Sequence, residues 1–172
     1  MKKLFLLSFP VFILLFAACE GPTGPPGPAG PVGESHLNDV FEIEVDFTTE
    51  NNYEVLLELD PVIPEDYVVL VYLEWSYEDE ISLWKLLPQT VYFEDSELQY
   101  NFDFTSFDIN LFLDGTVDFT TLSADYTHDQ YFRIVLVPGR LAGGRVDFSN
   151  YEAVMEMLGK TESDVKTLPL KQ

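Results

Sequence analysis

The chain has one cysteine, two histidines and nine basic residues in a length of 172. Each shortage removes a class of chemistry. A single thiol forms no internal disulfide, so the folded part must be held by its apolar core. His36, His128 and Cys19 are too few and too scattered for a zinc site. No serine sits in a nucleophile elbow that could serve a Ser-His-Asp triad. Beyond residue 33 the glycines are Gly115, Gly139, Gly143, Gly144 and Gly159. They make neither a phosphate-cradling loop nor a dinucleotide fingerprint. The residues therefore offer no catalytic set, no cofactor site and no metal site. Thirty acidic residues against nine basic ones give a net charge of −21. Nucleic acid needs a basic patch, and anionic lipid headgroups need the same, so both are excluded as partners of the charged surface. Such a surface favours solubility, cationic partners or divalent ions.

What the chain does have begins at its start. Lys2 and Lys3 precede an apolar stretch from Leu4 to Phe16, then Ala17, Ala18 and Cys19. That stretch is too short for a permanent membrane span and has the layout of a secretory signal. The small residues suit a signal peptidase, and Phe16-Ala17-Ala18-Cys19 resembles a lipobox. Residues 1–18 are thus expected to be a lipoprotein signal peptide, and Cys19 the lipidated residue of the mature chain. Loss of Lys2 and Lys3 takes the net charge from −21 to −23. Residues 19–36 form the next unit. Gly21, Gly24, Gly27, Gly30 and Gly33 recur every third position with prolines between them. Collagen requires this spacing, because only glycine fits the axis of its triple helix. Four repeats favour a single polyproline II spacer of roughly 40 Å over a trimerisation stalk. A monomer is expected.

Residues 37–148 alternate apolar and polar with period two, the mark of half-buried strands. Phe41, Ile43, Val45 and Phe47 alternate with Glu42, Glu44 and Asp46. Residues 53–59 return as a second strand after the Glu50-Asn51-Asn52 turn. Val68 to Trp75 is apolar on both faces, which predicts a central strand covered on each side. Short strands follow at 81–87 and 90–93, separated by Pro88, which cannot donate to a ladder. Leu98, Tyr100, Phe102 and Phe104 occupy even positions, whereas Phe107, Ile109, Leu111 and Leu113 occupy odd ones. A one-residue slip reverses the faces of a strand, so a turn, corner or bulge is expected at Thr105-Ser106. Asp114-Gly115 reads as a tight hairpin into a strand at 116–119. Residues 122–129 are a polar loop, and 131–137 a last apolar strand. The fold class is all-β: a β-sandwich of about nine short antiparallel strands with one C-terminal α-helix.

That helix belongs to residues 149–172. Ser149 and Glu152 fit a capping box, and Gly159 fits a C-terminal cap. Tyr151, Val154, Met155 and Leu158 share one face, which predicts a helix plugging one end of the sandwich; a partner-binding helix is the alternative. Asp114, Asp118, Asp125 and Asp129 could meet at one edge and hold calcium, but their spacing is not that of an EF-hand, and turn formation accounts for them better. Trp75 and Trp84, with Tyr72, Tyr77 and Tyr92, admit a glycan-binding reading. Aromatics at strand positions more often pack the core.

Cys19-Glu20-Gly21-Pro22 running into Gly-Pro repeats resembles the small lipoproteins of Bacteroidota that carry a collagen-like linker. Residues 98–104, 122–127 and 132–138 are similar to the domain of that family. The resemblance implies an outer-membrane lipoprotein with no catalytic residues to carry over. The expected function is that of a lipid-anchored, non-enzymatic binding or assembly module of the envelope. Its partners would be the membrane, through the lipid, and an envelope protein; the alternative is a glycan-binding surface lipoprotein. Substituting Cys19→Ala should leave the protein uncleaved or soluble on membrane fractionation. A processed Cys19→Ala chain that stays in the membrane fraction would refute the anchor.

Overall fold

The computed structural model describes residues 40–168. The signal sequence, Cys19 and the Gly-X-Y run lie outside them. Nine strands form two sheets. β1 (Val40–Val45), β3 (Tyr67–Glu78), β4 (Ile81–Leu86), β8 (Gln130–Pro138) and β9 (Val165–Thr167) make a five-stranded sheet in the order β4-β3-β8-β1-β9. β2 (Glu54–Glu58), β5 (Gln89–Tyr92), β6 (Glu97–Phe104) and β7 (Asp108–Gly115) make a four-stranded sheet in the order β2-β7-β6-β5. Every pairing is antiparallel except β1 with β9, which is parallel. The all-β architecture expected from the alternation is present.

The two sheets face one another across an apolar core. Alternate residues of the central strands enter it: Val69, Val71 and Leu73 from β3, and Phe132, Ile134 and Leu136 from β8. Leu98 and Tyr100 of β6 and Ile109, Leu111 and Leu113 of β7 meet them from the other sheet. The residues between do not face water. Leu70 and Tyr72 of β3 and Val135 and Val137 of β8 form a second core beneath the helix Tyr151–Leu158. This explains why the segment from Val68 is apolar on both faces. It also corrects the placement of the helix, which lies over the outer face of the five-stranded sheet rather than at an end of the sandwich. Its Tyr151, Val154 and Met155 are buried there.

Turn chemistry accounts for most boundaries. Thr105 and Asp108 close the β6–β7 hairpin through Thr105 N to Asp108 O, at 2.9 Å, and Thr105 Oγ1 to Asp108 Oδ1, at 2.6 Å. Phe104 then pairs with Ile109, so an even position faces an odd one, and the phase reversal at Thr105-Ser106 is this turn. The strand expected at 116–119 does not form. Gly115 is the last residue of β7, paired with Leu98. Thr116 N and Val117 N both donate to the Glu97 carbonyl, at 3.0 and 3.2 Å, which wraps the chain around β6 instead of laddering it. A side chain at Gly115, whose φ is +135°, would run into that same carbonyl. Asp118 then caps a 3₁₀ turn by accepting from Thr120 N at 3.0 Å. The helix cap also differs from expectation: Asn150, not Ser149, accepts from Ala153 N, at 2.9 Å. Ser149 is engaged with Asp147 at 2.8 Å. Gly159 closes the other end in the left-handed conformation, with φ of +66°.

One charge is buried in the second core. The Arg133 side chain, 8% exposed, projects from β8 between the sheet and the helix. It is bonded to Glu42 of β1 at 3.0 Å, to Glu162 at 2.7 and 2.8 Å, and to the Tyr151 hydroxyl at 2.7 Å. Its guanidinium lies 4.1 Å from the centre of the Trp84 ring. Burial opposes its charge, and the hydrogen bond and charge of Glu162, the Tyr151 phenol and the hydrogen bond of Glu42 more than offset that.

Truncating Ile134→Ala at the inter-sheet core should cost roughly 2–5 kcal/mol in denaturant unfolding, through lost transfer energy and the cavity left behind. A cost below that of an exposed change such as Glu44→Gln would show the strand faces to be misassigned. The fold should also fail at high pH. Burial holds the phenols of Tyr72 and Tyr100 above their ordinary value, and pushes Tyr151 up to about 12. These groups stay protonated in the fold where the unfolded chain has ionised. Stability is therefore intact below the ordinary value of 10.0 and falls as pH rises through about 12. The last part of the phenolate absorbance, that of these three buried phenols, should appear together with loss of strand circular dichroism; full phenol titration in the intact fold would contradict this.

Candidate functional site

β3 is the longest strand and outruns one of its neighbours. Its pairing with β8 stops at Leu73–Phe132, while its pairing with β4 continues to Glu78–Ile81, past a bulge at Trp75. Beside the first residues of β8 this overhang leaves a notch at one end of the sandwich. The notch is a cavity of 340 Å³. Trp75, Tyr126, Asp125, Asp129 and Gln130 line it, with Leu73, Val91 and Tyr100 of the inter-sheet core. Glu74 and Tyr131 complete the lining from the helix-covered face of the sheet, where Tyr131 packs against the second core and Glu74 pairs with Trp84. No lysine or arginine lines it.

The walls are fixed by the loop between β7 and β8. Its 3₁₀ turn at Ala124–Tyr126 is held by the Tyr100 hydroxyl, which donates to the Tyr126 carbonyl at 2.8 Å. The Tyr126 ring meets Phe93 edge to face, with centroids 5.5 Å apart. Gln130 Nε2 donates to the carbonyls of Asp125 and His128, at 3.1 and 2.7 Å. Asp129 adopts φ of +52°, and its N–H donates to Asp46 Oδ1 at 2.9 Å. These bonds fix the loop that carries Asp125 and Asp129, and neither aspartate is in an ion pair among the described residues.

The electrostatics follow from that arrangement. Burial, then a hydrogen bond to Glu44 and the charges of Glu44, Asp129 and Glu74, hold the Tyr131 phenol above its ordinary range. Lys85 of β4 places its ammonium 3.8 Å from the centre of the Trp75 ring. Trp75 therefore presents a face on which a cation already rests.

The residues singled out from the sequence divide. Tyr72 and Trp84 are buried under the helix, at 0% and 7% exposure, and belong to the core. Tyr77 and Tyr92 are exposed, at 63% and 77%, but do not line the cleft. Trp75 does. Of the four aspartates, Asp125 and Asp129 share the cleft, whereas Asp114 bonds Gly115 N at 2.7 Å and Asp118 caps its own turn. Among the described residues no three His, Cys, Asp or Glu side chains are placed to share a metal ion. His128 Nδ1 pairs with Thr127 Oγ1 at 2.9 Å. Glu74, Tyr126 and Tyr131 were not legible as site residues. The available signal was Tyr126, an aromatic in an otherwise polar loop. Cys19 and His36 lie outside the described residues. Among the described residues no helix is long and apolar enough to cross a membrane.

No protein-family model, curated protein or solved structure matches the chain.

The acidic walls should be detectable at Trp75. In a Trp84→Phe background, where Trp75 is the sole tryptophan, its fluorescence should be quenched more by caesium than by iodide. The difference should shrink as salt screens the carboxylates. Equal or reversed quenching would mean that the cleft does not concentrate cations.

Proposed function

We propose that the protein is a lipid-anchored lipoprotein of the bacterial outer membrane whose β-sandwich is a non-enzymatic binding module. The N-terminal pattern supports the anchor: a basic start, an apolar run, then Ala17-Ala18-Cys19. A diacylated or triacylated cysteine holds a chain firmly, where one acyl chain would not. The Gly-X-Y run then acts as a spacer. On this reading the chain is a member of the Bacteroidota lipoproteins with a collagen-like linker, and acts as a monomer that meets an envelope partner.

The observation that carries the binding reading is the cleft. It combines a defined volume with two aromatic residues, Trp75 and Tyr126, and the polar groups of Asp125, Asp129 and Gln130, and a concave site of mixed lining is the default candidate for ligand binding. Its carboxylates are spread around the opening and no nucleophile or histidine is set among them. Recognition fits this arrangement better than group transfer does. A glycan reading is the second possibility, and the presence of Trp75 and Tyr126 in one cavity favours it, because aromatic faces can stack on sugar rings.

Crosslinking and pull-down from intact envelopes should recover a partner whose capture weakens with salt and is lost in Trp75→Ala. Capture that ignores both salt and Trp75 would remove the cleft from the function. A glycan array separates the second reading: saturable sugar binding lost in Trp75→Ala would establish it, and no sugar binding would exclude it.

A further inference from the structure

We propose that the outer edge of β4 takes an added strand: an extended segment of a partner protein in which apolar residues alternate with lysine or arginine. The inference goes beyond the cleft and does not rest on it.

Open sheets have edges, and proteins blunt them with short strands, charged side chains or a cover. This sandwich has four edges: β4 and β9 in the five-stranded sheet, β2 and β5 in the four-stranded one. β9 has three residues and β5 has four. β2 sets its one exposed apolar residue, Leu56, between Glu54 and Glu58. β4 has none of these guards. It is six residues long, contains no carboxylate, and exposes Ile81 at 71% and Leu83 at 50%. Its one charged residue, Lys85, lies over the Trp75 ring, 3.8 Å from the ring centre. That charge is engaged on the neighbouring strand rather than set at the edge.

The backbone decides what kind of group fits there. Leu87 N donates to Val71 O at 2.8 Å, and β4 pairs with β3 as far as Glu78–Ile81, the bulge falling on the β3 side. Alternate residues of an edge strand turn their backbone groups to its paired and its open side. Lys85, Leu83 and Ile81 therefore face β3. Ser82 and Trp84 turn their N–H and C=O groups outward, where no strand pairs with them among the described residues. Leu86 shares that side, and its carbonyl accepts from Gln89 Nε2 at 2.7 Å. Outward donors and acceptors at every second residue are matched by an extended chain. Ile81 and Leu83 share one face, on which the apolar side chains of that chain would pack as cross-strand neighbours.

Charge selects the partner. Glu78, Asp79 and Glu80 lead into β4, are all exposed, and take part in no ion pair among the described residues. Asp79 and Glu80, with φ of +51° and +65°, form the tight turn that matches the twist of a hairpin. A second copy would bring another net charge of −21 against the first. A segment carrying lysine or arginine meets the opposite sign.

The test is fluorescence anisotropy on the full chain in a nonionic detergent, with fluorescein-labelled octapeptides. The probe alternates lysine and valine. One control replaces valine by proline, which keeps the charge and removes ladder donors. The other replaces lysine by glutamate. The lysine–valine peptide should bind saturably at one site per chain, and each control at least about tenfold more weakly. Ser82→Pro removes an outward donor at a position where an edge strand tolerates proline. Leu83→Lys sets a guarding charge on the exposed face. Each variant should weaken the lysine–valine peptide about tenfold, with melting curves showing that it is folded. If Ser82→Pro does not fold, Leu83→Lys decides. Equal binding of the lysine–valine and lysine–proline peptides would overturn the proposal and leave charge alone. No binding of the lysine–valine peptide, or an affinity unchanged in Leu83→Lys or in folded Ser82→Pro, would also overturn it. So would a concentration-dependent dimer in light scattering that is lost in Leu83→Lys, since the edge would then belong to a second copy.

Discussion

The constraint on which this domain depends is that β8 has no solvent face. From Phe132 to Pro138 every residue is buried, because the four-stranded sheet covers one side and the helix covers the other. With a single cysteine there is no disulfide to share the load, and the stability of the fold rests on these two cores meeting at one strand. Antiparallel sandwiches commonly leave an outer face to water. Here the outer face of the five-stranded sheet is apolar and must be roofed. The helix and the turn after it are therefore as structural as the strands. Arg133 sits in that roofed layer as its one buried charge. It gains nothing from burial itself, which penalises it. Its value is positional: the same guanidinium bonds β1 through Glu42, the helix through Tyr151 and the tail through Glu162. Three segments distant in sequence are aligned to one planar fork, which is the geometry arginine offers and lysine does not.

Legibility in the sequence followed the kind of interaction that decides each element. Where burial decides, the alternation was readable: the even-to-odd shift at Thr105-Ser106 located the β6–β7 turn, and the two-sided apolar run from Val68 located the central strand. Where a short polar contact decides, it was not. Asn150 and Ser149 are both competent caps, and only the bond of Ser149 to Asp147 settles which of them serves the helix. The strand expected at 116–119 has the right composition but meets a carbonyl, that of Glu97, already positioned to take two donors. β9 was invisible because three residues carry no period. It exists through pairing with β1 and through Leu168 N bonding Glu42 O at 2.9 Å.

The same division applies to the cleft. Trp75, Asp125 and Asp129 were visible as residue types with capacity for binding, but spacing along the chain cannot bring a strand overhang and a loop fifty positions later to one opening. Tyr72 and Trp84 looked equivalent to Trp75 from the sequence and belong to the core under the helix, whereas Trp75 lies on the other face, half-buried at the end of the inter-sheet core where a bulge interrupts the β3–β4 ladder. A bulge is a property of pairing, with no fixed residue signature, which is why one tryptophan of two became a wall.

The parallel contact of β9 with β1 has a consequence for how the chain matures. The first strand of the domain has the last as its neighbour, and the Arg133 fork reaches forward to Glu162. A nascent chain lacks both until residues 162–168 have emerged, so the five-stranded sheet cannot be finished before them. Contacts this distant in sequence form late and slowly. The apolar strands remain uncommitted until then, and the arrival of residues 162–168 acts as the trigger for closure.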